Sequence, residues 1–492
     1  MEEPTMSFNE GDRISQLPDE ILINILCRLP LTNAAASTVL SKRWQHLFPS
    51  LPSFRIDMSS ADVFVTRGPS SDQYISSMRR IFHSRRSSGS PIKIVDICAD
   101  ADTKKFDSIF RSLCSNGIKE LTVSAAYDSS NYQIPIRIFS CHTLMKMAFR
   151  GFVLRVPRKF TGLGRLRHLE IGNTSIKDVA LKRILSFCPQ IEELILDHCR
   201  GIKNLVISSH NSLARLRIHS HYNFPAIRIT ECPRLTSVAV LRRIDMYDEY
   251  DDEYDSEDDD LDEEELQCGN IWRLARFLGR LSQVTSLTLS FSGDYFDDYE
   301  DFEEVEPVPK SLPNGKCLSD MKELYLKLPL LDERFTSILM CLLNSCPNLK
   351  HLTVGVFDGR RKQTTHALDF SWYQYSRPYG DDYIWNCPLP LPSFPVDQTP
   401  PECIMNRLRT ATLFWDDNYN QSQCIQFAMF ILMNGSVLQK MTIKYLESHE
   451  HAVVGSVQKY LVLEQKASSS VEIELIATRS IHDIIEDTCM CT

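Results

Sequence analysis

The sequence shows few of the patterns that catalytic and metal-binding proteins usually carry. Its 16 cysteines are scattered singly, and no two of them have the C-x-x-C spacing of a zinc site. The glycine pair Gly162 and Gly164 does not form a phosphate-binding loop, and the spacing nominates no nucleophile–base pair. We therefore expect no catalytic residues, no metal and no cofactor, and we interpret the cysteines as reduced core residues.

Long hydrophobic runs are absent as well. No apolar run approaches the roughly 18–20 residues that a membrane span needs. The sequence begins with an acidic, polar stretch that does not resemble a signal peptide. We expect an intracellular protein, in the nucleus and/or the cytoplasm, with no membrane partner.

The negative charge is concentrated in one segment. The formal net charge is −10, and residues 248–265 contain 14 acidic residues and no basic one. The rest of the chain is therefore slightly basic, and it shows no pattern of a nucleic-acid-binding surface. We expect the acidic insert, residues 247–266, to be disordered, either as a solvated linker or as a docking strip for a basic partner.

Residues 13–50 carry the densest helical signal. Pro18, Asp19 and Glu20 suit the first turn of a helix, where Pro loses no hydrogen bond and acids meet the positive end of the helix dipole. Apolar residues then recur at spacings of three and four until Pro30 ends the helix. Two short helices should follow, with Thr32 or Asn33, and then Ser41, as candidate N-caps.

This apolar stripe needs a partner, because three short helices cannot bury it among themselves. The pattern alone favours a helical cap on the following domain over a docking surface. However, "LPDEIL…IL..LP…A…STVLSKRW" resembles an F-box, with Thr38-Val39 where members often have Ser-Val. This resemblance implies docking on the Skp-type adaptor of a cullin–RING ubiquitin ligase, with these matching contact residues: Leu17, Pro18, Ile21, Leu22, Ile25, Leu26, Leu29, Pro30, Val39, Leu40 and Trp44.

The spacing L-x-x-L-x-L recurs along most of the remaining chain. "FCPQIEELIL", "ECPRLTSVAV" and "SCPNLKHLTV" superpose without gaps, which indicates a helix end, a Pro stop and a strand. Intervals of 22–26 residues separate the early units, and they resemble leucine-rich repeats. We expect each unit to be a strand plus a return helix, stacked into a parallel sheet. The first apolar positions are Ile92, Ile118, Leu144, Leu166, Ile191, Leu213, Leu235, Val284, Met321, Leu349, Leu408 and Leu438.

A long segment rich in proline and aromatic residues interrupts the repeats at residues 358–402. A loop of this length is usually functional or disordered. Its rings either pin the loop onto the repeats or form a binding hot spot. The candidate target-binding residues are Trp372, Tyr373, Tyr375 and Trp385.

The segment after this loop, "PEC…LRTATL…FAMFILMNGSVLQKMTI", resembles the FBD domain of plant F-box proteins. We therefore expect an α/β fold: a three-helix F-box, a leucine-rich-repeat solenoid with outer helices, and a C-terminal FBD cap. The predicted organisation is a tail at 1–12, the F-box at 13–58, repeats at 59–357, the aromatic loop at 358–402, the FBD domain at 403–478 and a tail at 479–492.

The resemblance implies a plant protein that is the non-catalytic substrate-recognition subunit of a Skp–cullin–F-box ligase. Its expected partners are the Skp-type adaptor, a cullin and an unidentified protein substrate, with no nucleic acid. An alternative is a leucine-rich-repeat interaction scaffold that acts outside ubiquitination. A receptor whose repeats hold a small ligand is a further alternative, although the sequence shows no dedicated pocket residues.

Overall fold

The structure is a computed structural model of the chain. It describes residues 14, 16–29, 31–57, 80–83, 92–99, 110–115, 117–125, 133–220, 226–243, 270–292, 311–312, 318–328, 333–356, 399–415, 421–447, 453–455, 461 and 466–478. The chain divides into two compact units: unit 1 comprises residues 1–217 and 227–234, and unit 2 comprises residues 218–226 and 235–492. Within the described ranges, no helix has both the length and the apolar character that crossing a membrane requires.

Unit 1 begins with three short helices that pack onto the first strand. These are α1 (Asp19–Arg28), α2 (Leu31–Ala36) and α3 (Lys42–Leu47), with 3-10 turns at Ser37–Val39 and Phe48–Ser50. Helix α1 ends before Pro30, as predicted, and the Ser41 side chain caps α3 by accepting a hydrogen bond from the Trp44 N–H. The expected caps Thr32 and Asn33 are wrong, because α2 already begins at Leu31.

The repeats of unit 1 form a parallel sheet. The strands β1 to β6 pair consecutively and in parallel. Helix α4 (Asp178–Phe187) lies between β5 and β6, and a 3-10 turn (Ile136–Ser140) precedes β4. The strands up to β6 are β1 (Ser53–Asp57), β2 (Ile94–Ala99), β3 (Glu120–Ala125), β4 (Lys146–Arg150), β5 (His168–Gly172) and β6 (Glu193–Asp197).

Two return segments are strands, where a return helix was expected for every unit. The chain continues through β7 (Asn204–Ser208), β8 (Arg215–Ser220) and β9 (Ala226–Thr230), and β7 and β9 form a separate two-stranded sheet. The sequences "NLVIS" and "AIRIT" alternate apolar and polar residues and contain β-branched side chains, which favours strands. The repeats here are only 22 residues long, so little chain remains for a helix.

Unit 2 contains a second run of parallel strands, paired consecutively from β10 to β16. Its helices are α5 (Asn270–Leu278), α6 (Glu333–Ser345), α7 (Glu402–Asn406) and α8 (Gln421–Asn434). Its strands are β10 (Ser237–Arg243), β11 (Ser286–Ser292), β12 (Glu323–Leu328), β13 (His351–Val356), β14 (Thr410–Trp415), β15 (Lys440–Leu446) and β16 (Glu472–Thr478).

The predicted repeat positions are confirmed. All twelve first apolar residues, from Ile92 to Leu438, are essentially fully buried. Each lies two residues before a strand: Ile191 precedes β6, and Leu349 precedes β13. Full burial of such a side chain contributes roughly 1.5–3 kcal/mol, so these positions supply a large part of the core. The predicted α/β fold, a parallel sheet with helices between its strands, is therefore confirmed.

One expectation about the cysteines is wrong. Cys114 and Cys141 are joined by a disulfide, with a Cα–Cα distance of 4.9 Å. They lie at equivalent ends of successive return segments, which stacking brings together. Six other cysteines fit the expected pattern of buried thiols: Cys188, Cys232, Cys341, Cys346, Cys403 and Cys424.

Candidate interaction surfaces

Helix α1 has a buried face and an exposed face, and both are aliphatic. Leu22 and Leu26 are buried against the rest of unit 1. Ile21 and Ile25 lie one turn apart and are exposed. A helix on the surface of a stable monomer would rarely expose two neighbouring isoleucines on the same face. This face is therefore suited to a protein partner.

The turn between α2 and α3 adds two more exposed aliphatic residues. Val39 is 85% exposed and Leu40 is 68% exposed. The hydroxyls of Ser37 and Thr38 each donate to a carbonyl three residues back, over 2.6 Å, and hold this turn in place. The fold therefore presents Val39 and Leu40 on a fixed backbone.

An arginine links the two ends of this helical region. Arg43 donates from Nη2 to the Leu17 carbonyl oxygen over 2.6 Å and from Nε to Asp19 Oδ1 over 2.8 Å. Trp44, the next residue of α3, is buried. These contacts fix the N-terminus of α1 against α3, so the exposed aliphatic residues are held by a defined scaffold.

The predicted adaptor-binding residues fall into three environments. Pro18, Ile21, Ile25, Val39 and Leu40 are exposed, and Leu17 and Leu29 are half-buried. Leu22, Leu26 and Trp44 are buried, so they can act on a partner only by positioning the helices. Pro30 lies outside the described residues, as do the acidic insert and the four candidate target-binding residues: Trp372, Tyr373, Tyr375 and Trp385.

A second surface is the face of each sheet opposite the core, here called the open face. On the open face of unit 1, the register places Glu120, Lys146, His168 and Glu193 side by side on successive strands. The carboxylate of Glu193 accepts from His168 Nδ1 over 2.6 Å and lies 3.4 Å from Arg215 Nε. Glu193 is therefore attracted to a basic side chain on each side of it in this row, which stabilises the register.

The next positions on the same strands continue the charged network. Arg150 on β4 forms an ion pair with Glu170 on β5. Glu170 also lies 3.8 Å from Nε2 of His168, a distance that gives charge attraction without a hydrogen bond. The imidazole of His168 thus lies between two carboxylates, and both carboxylates also contact an arginine.

The network shifts the pKa of its members in opposite directions. The carboxylates of Glu170 and Glu193 raise the pKa of His168 above its usual value. In turn, hydrogen bonding by His168, with a further contribution from Arg215, lowers the pKa of Glu193 to about 2. His168 likewise lowers the pKa of Glu170. Each shift favours the charged form of its group, because the imidazolium and the two carboxylates attract one another.

The open face of unit 2 has a different chemistry. Its open-face positions on β11 to β14 are rich in hydroxyl groups from Ser, Thr and Tyr, whereas β15 and β16 carry charged residues, including the ion pair between Lys440 and Glu474 at 2.9 Å. The hydroxyl-bearing residues at open-face positions are Ser286, Thr288, Ser290, Tyr325, Thr353, Thr410, Thr412 and Thr442. Such a surface offers hydrogen-bond donors and acceptors without a strong field of either sign.

These open-face residues were not among those predicted from the sequence. The repeat register could have located them, because open-face side chains fall two, four and six residues after each first apolar position. Which of these residues contact each other can be known only from the pairing of the strands, because His168 and Glu193 are 25 residues apart in the sequence.

Comparisons with known proteins agree with this architecture. The F-box domain model matches residues 14–56, and the FBD model matches residues 397–443. The model described as "FBD-associated F-box protein At5g56370, LRR repeats" matches residues 106–253. The chain therefore matches family models for an F-box, for leucine-rich repeats and for an FBD domain, in that order along the sequence.

Similar curated proteins come from Arabidopsis thaliana. The F-box/LRR-repeat protein At3g59200 is 30% identical over 202 residues, which cover 39% of this chain and 38% of that protein. The F-box/FBD/LRR-repeat protein At5g56420 is 27% identical over 186 residues, covering 38% of this chain and 43% of that protein. The chain thus matches less than half the length of these relatives, and the predicted resemblance to plant F-box/FBD/leucine-rich-repeat proteins is confirmed.

Proposed function

We propose that this chain is the substrate-recognition subunit of a Skp–cullin–F-box ubiquitin ligase. The exposed aliphatic surface of the F-box helices carries this proposal. Ile21 and Ile25 are exposed on α1, whose opposite side is buried, and Val39 and Leu40 are exposed on the turn before α3. Removing such a surface from water by a protein partner is favourable, and the F-box match indicates a Skp-type adaptor as that partner.

The predicted contact residues then take two roles. The exposed residues, together with the half-buried Leu17 and Leu29, would contact the adaptor. The buried Leu22, Leu26 and Trp44 would position the helices that carry them. The repeats would hold a protein target, through the open faces and through the aromatic residues predicted at 372–385.

The chain itself would supply no catalytic group. A target held by the repeats and an adaptor held by the F-box are kept close to each other. This proximity raises the effective concentration of the target near the site of ubiquitin transfer. The chain would therefore act as a non-catalytic receptor.

Co-purification with the Skp-type adaptor and a cullin tests the proposal. The test variant is Val39→Asp, Leu40→Asp, because these side chains are highly exposed and their replacement should leave the fold intact. The matched control is Met433→Asp, Val437→Asp, which alters two exposed apolar residues of unit 2. Circular dichroism verifies that all three proteins are folded.

We expect the wild type and the control to capture the adaptor, and the Val39/Leu40 variant to lose it by at least about tenfold, as at a hot spot. Equal capture by all three folded proteins would contradict the assigned surface. No capture by the folded wild type would favour the alternative, an interaction scaffold that acts outside ubiquitination.

A further inference from the structure

The return segments of unit 1 carry a cluster of basic residues away from the open face. The cluster comprises residues 155–160 and 177–187, here called the basic patch. A backbone hydrogen bond of 2.9 Å from Leu154 to Ser175 brings the two segments together. The rings of Phe160 and Phe187 lie 6.1 Å apart, and Arg183 donates to the Val156 carbonyl oxygen. The two segments therefore form one continuous surface.

The charge of this surface is strongly one-sided. It contains six basic residues: Arg155, Arg158, Lys159, Lys177, Lys182 and Arg183. Its one acidic residue is Asp178, and both oxygens of that carboxylate accept backbone N–H groups, from Lys203 over 3.0 Å and from Asn204 over 2.8 Å. Among the described residues, none forms an ion pair with any of the six.

This distribution differs from that of the arginines on the open face. Arg150 and Arg215 each have a carboxylate partner within the same sheet. In the basic patch, five of the six basic residues are exposed and Arg183 is half-buried. Like charges on one surface repel one another, so the patch gains most from a partner that supplies negative charge.

The basic patch also exposes apolar side chains. Val179 is 64% exposed and Phe187 is 49% exposed, and both lie on α4, the helix that also carries Lys182 and Arg183. Ile136, in the return segment of the preceding repeat, is exposed too. Edge-to-face packing of Phe139 on Phe160, at 5.3 Å, connects that segment to the patch.

We propose that the basic patch binds an acidic segment of a second polypeptide that carries apolar side chains among its Asp and Glu residues. Charge complementarity selects the acidic residues, and Val179, Phe187 and Ile136 offer contacts for the apolar ones. A nucleic acid backbone would satisfy the cations but would leave the aliphatic side chains of Val179 and Ile136 unused. The surface lies apart from the exposed aliphatic residues of the F-box, so its occupant does not depend on the proposed ligase function.

The test uses the full chain and a short fluorescent peptide built of glutamate and leucine. Fluorescence anisotropy measures binding at low and at physiological ionic strength. The test variant is Arg158→Glu, Lys159→Glu, Lys182→Glu. The matched control is Lys322→Glu, Arg407→Glu, Arg409→Glu, which makes the same change in net charge at exposed positions of unit 2. A milder variant, Lys159→Gln, Lys182→Gln, serves if the triple variant fails to fold.

We expect the peptide to bind the wild type and the control, and the patch variant to bind about tenfold more weakly or worse, because several attractive pairs become repulsive. Higher salt should reduce wild-type binding. Val179→Ser, Phe187→Ser should also weaken binding while its salt dependence stays unchanged.

Three results would overturn the proposal. The first is no peptide binding by the folded wild type. The second is equal weakening by the patch variant and the unit 2 control, which would show attraction by overall charge alone. The third is tighter binding of a single-stranded RNA, or of vesicles with anionic lipid, that the patch variant also abolishes. That outcome would assign the surface to a different class of partner.

Discussion

The two units share a core pattern and differ in what they place on their open faces. In unit 1, the open face carries an ion-paired network around His168, Glu170 and Glu193. In unit 2, the open-face positions of β11 to β14 carry mainly Ser, Thr and Tyr hydroxyls, and the ion pair between Lys440 and Glu474 lies on β15 and β16. The buried positions repeat because every strand must bury the same face against its neighbours. The open positions are free of this requirement, so they can vary and determine which surface is offered to a partner.

Substitutions in the core should reduce stability the most, and the loss should be equal in the two units. Leu194 on β6 and Leu352 on β13 are both buried at equivalent strand positions. Replacing either by alanine removes buried methyl groups and leaves a cavity, which should cost about 2–5 kcal/mol. Hydrogen exchange, measured separately for peptides of each unit, reports this loss. An effect in one unit only would break the comparison, because it would mean that the two cores are not equivalent.

The next-largest loss of stability should be confined to unit 1. Glu193→Gln removes the carboxylate shared by His168 and Arg215, and it should cost about 1–2 kcal/mol, since water screens this half-buried network. The pKa of Glu193 is about 2 in the folded chain and 4.5 as its reference value. Its contribution is therefore present above pH 4.5 and disappears as the pH falls toward 2.

Hydrogen exchange at a series of pH values tests this dependence. The wild type should lose its advantage over Glu193→Gln as the pH falls below 4.5, the reference value of the carboxyl. The control Glu323→Gln on β12 changes an exposed open-face carboxylate of unit 2 and should have little effect. A constant difference between wild type and Glu193→Gln across that range would contradict the assigned network.

Two histidines of unit 1 should respond to pH in opposite directions. The pKa of His168 is raised above 6.5 by the neighbouring carboxylates, so its stabilising effect is full below pH 6.5 and is lost as the pH rises through the raised value. Burial lowers the pKa of His210, so stability falls as the pH drops below 6.5.

NMR titration of the histidine ring protons measures both values, with His168→Gln and His210→Gln used for assignment. We expect the His168 signal to titrate above 6.5 and the His210 signal below it. His168→Gln should weaken unit 1 more in mild acid than in mild base. The same midpoint for both histidines would contradict the two environments.

The smallest effect is expected on the open face of unit 2. Thr353→Val and Thr412→Val keep the β-branched shape and remove a half-buried hydroxyl on β13 and β14. Each should change stability by no more than about 0.5 kcal/mol. Hydrogen exchange of the unit 2 strands measures this difference. A loss as large as that of Glu193→Gln would show that the hydroxyl face forms a network of its own.

The sequence predicted the core more fully than the surface, for a physical reason. A buried position such as Leu194 belongs to a local pattern of apolar residues, which a single chain displays directly. The network around His168 depends on which side chains become neighbours across strands. That information lies in the stacking register, and a shift of one residue would send each side chain to the opposite face.

Two features that were predicted wrongly, the return segments and the cysteines, also depend on contacts between distant parts of the sequence. The return strands β7 and β9 are stabilised by pairing with each other, and the repeat period alone favours a helix at these places. The disulfide between Cys114 and Cys141 joins residues 27 apart, which come together because successive return segments stack. The F-box, by contrast, has local helical signals and caps such as Ser41, and these were visible in the sequence.

The most direct test of the proposed receptor role is a hydrogen-exchange footprint of the full chain with and without the Skp-type adaptor. We predict protection of peptides that contain residues 14–25 and 37–40, where the exposed aliphatic side chains lie, and no change in the strands of unit 2. Protection confined to the unit 2 strands, or no protection in a mixture shown to bind, would contradict the assignment of the F-box helices as the adaptor surface.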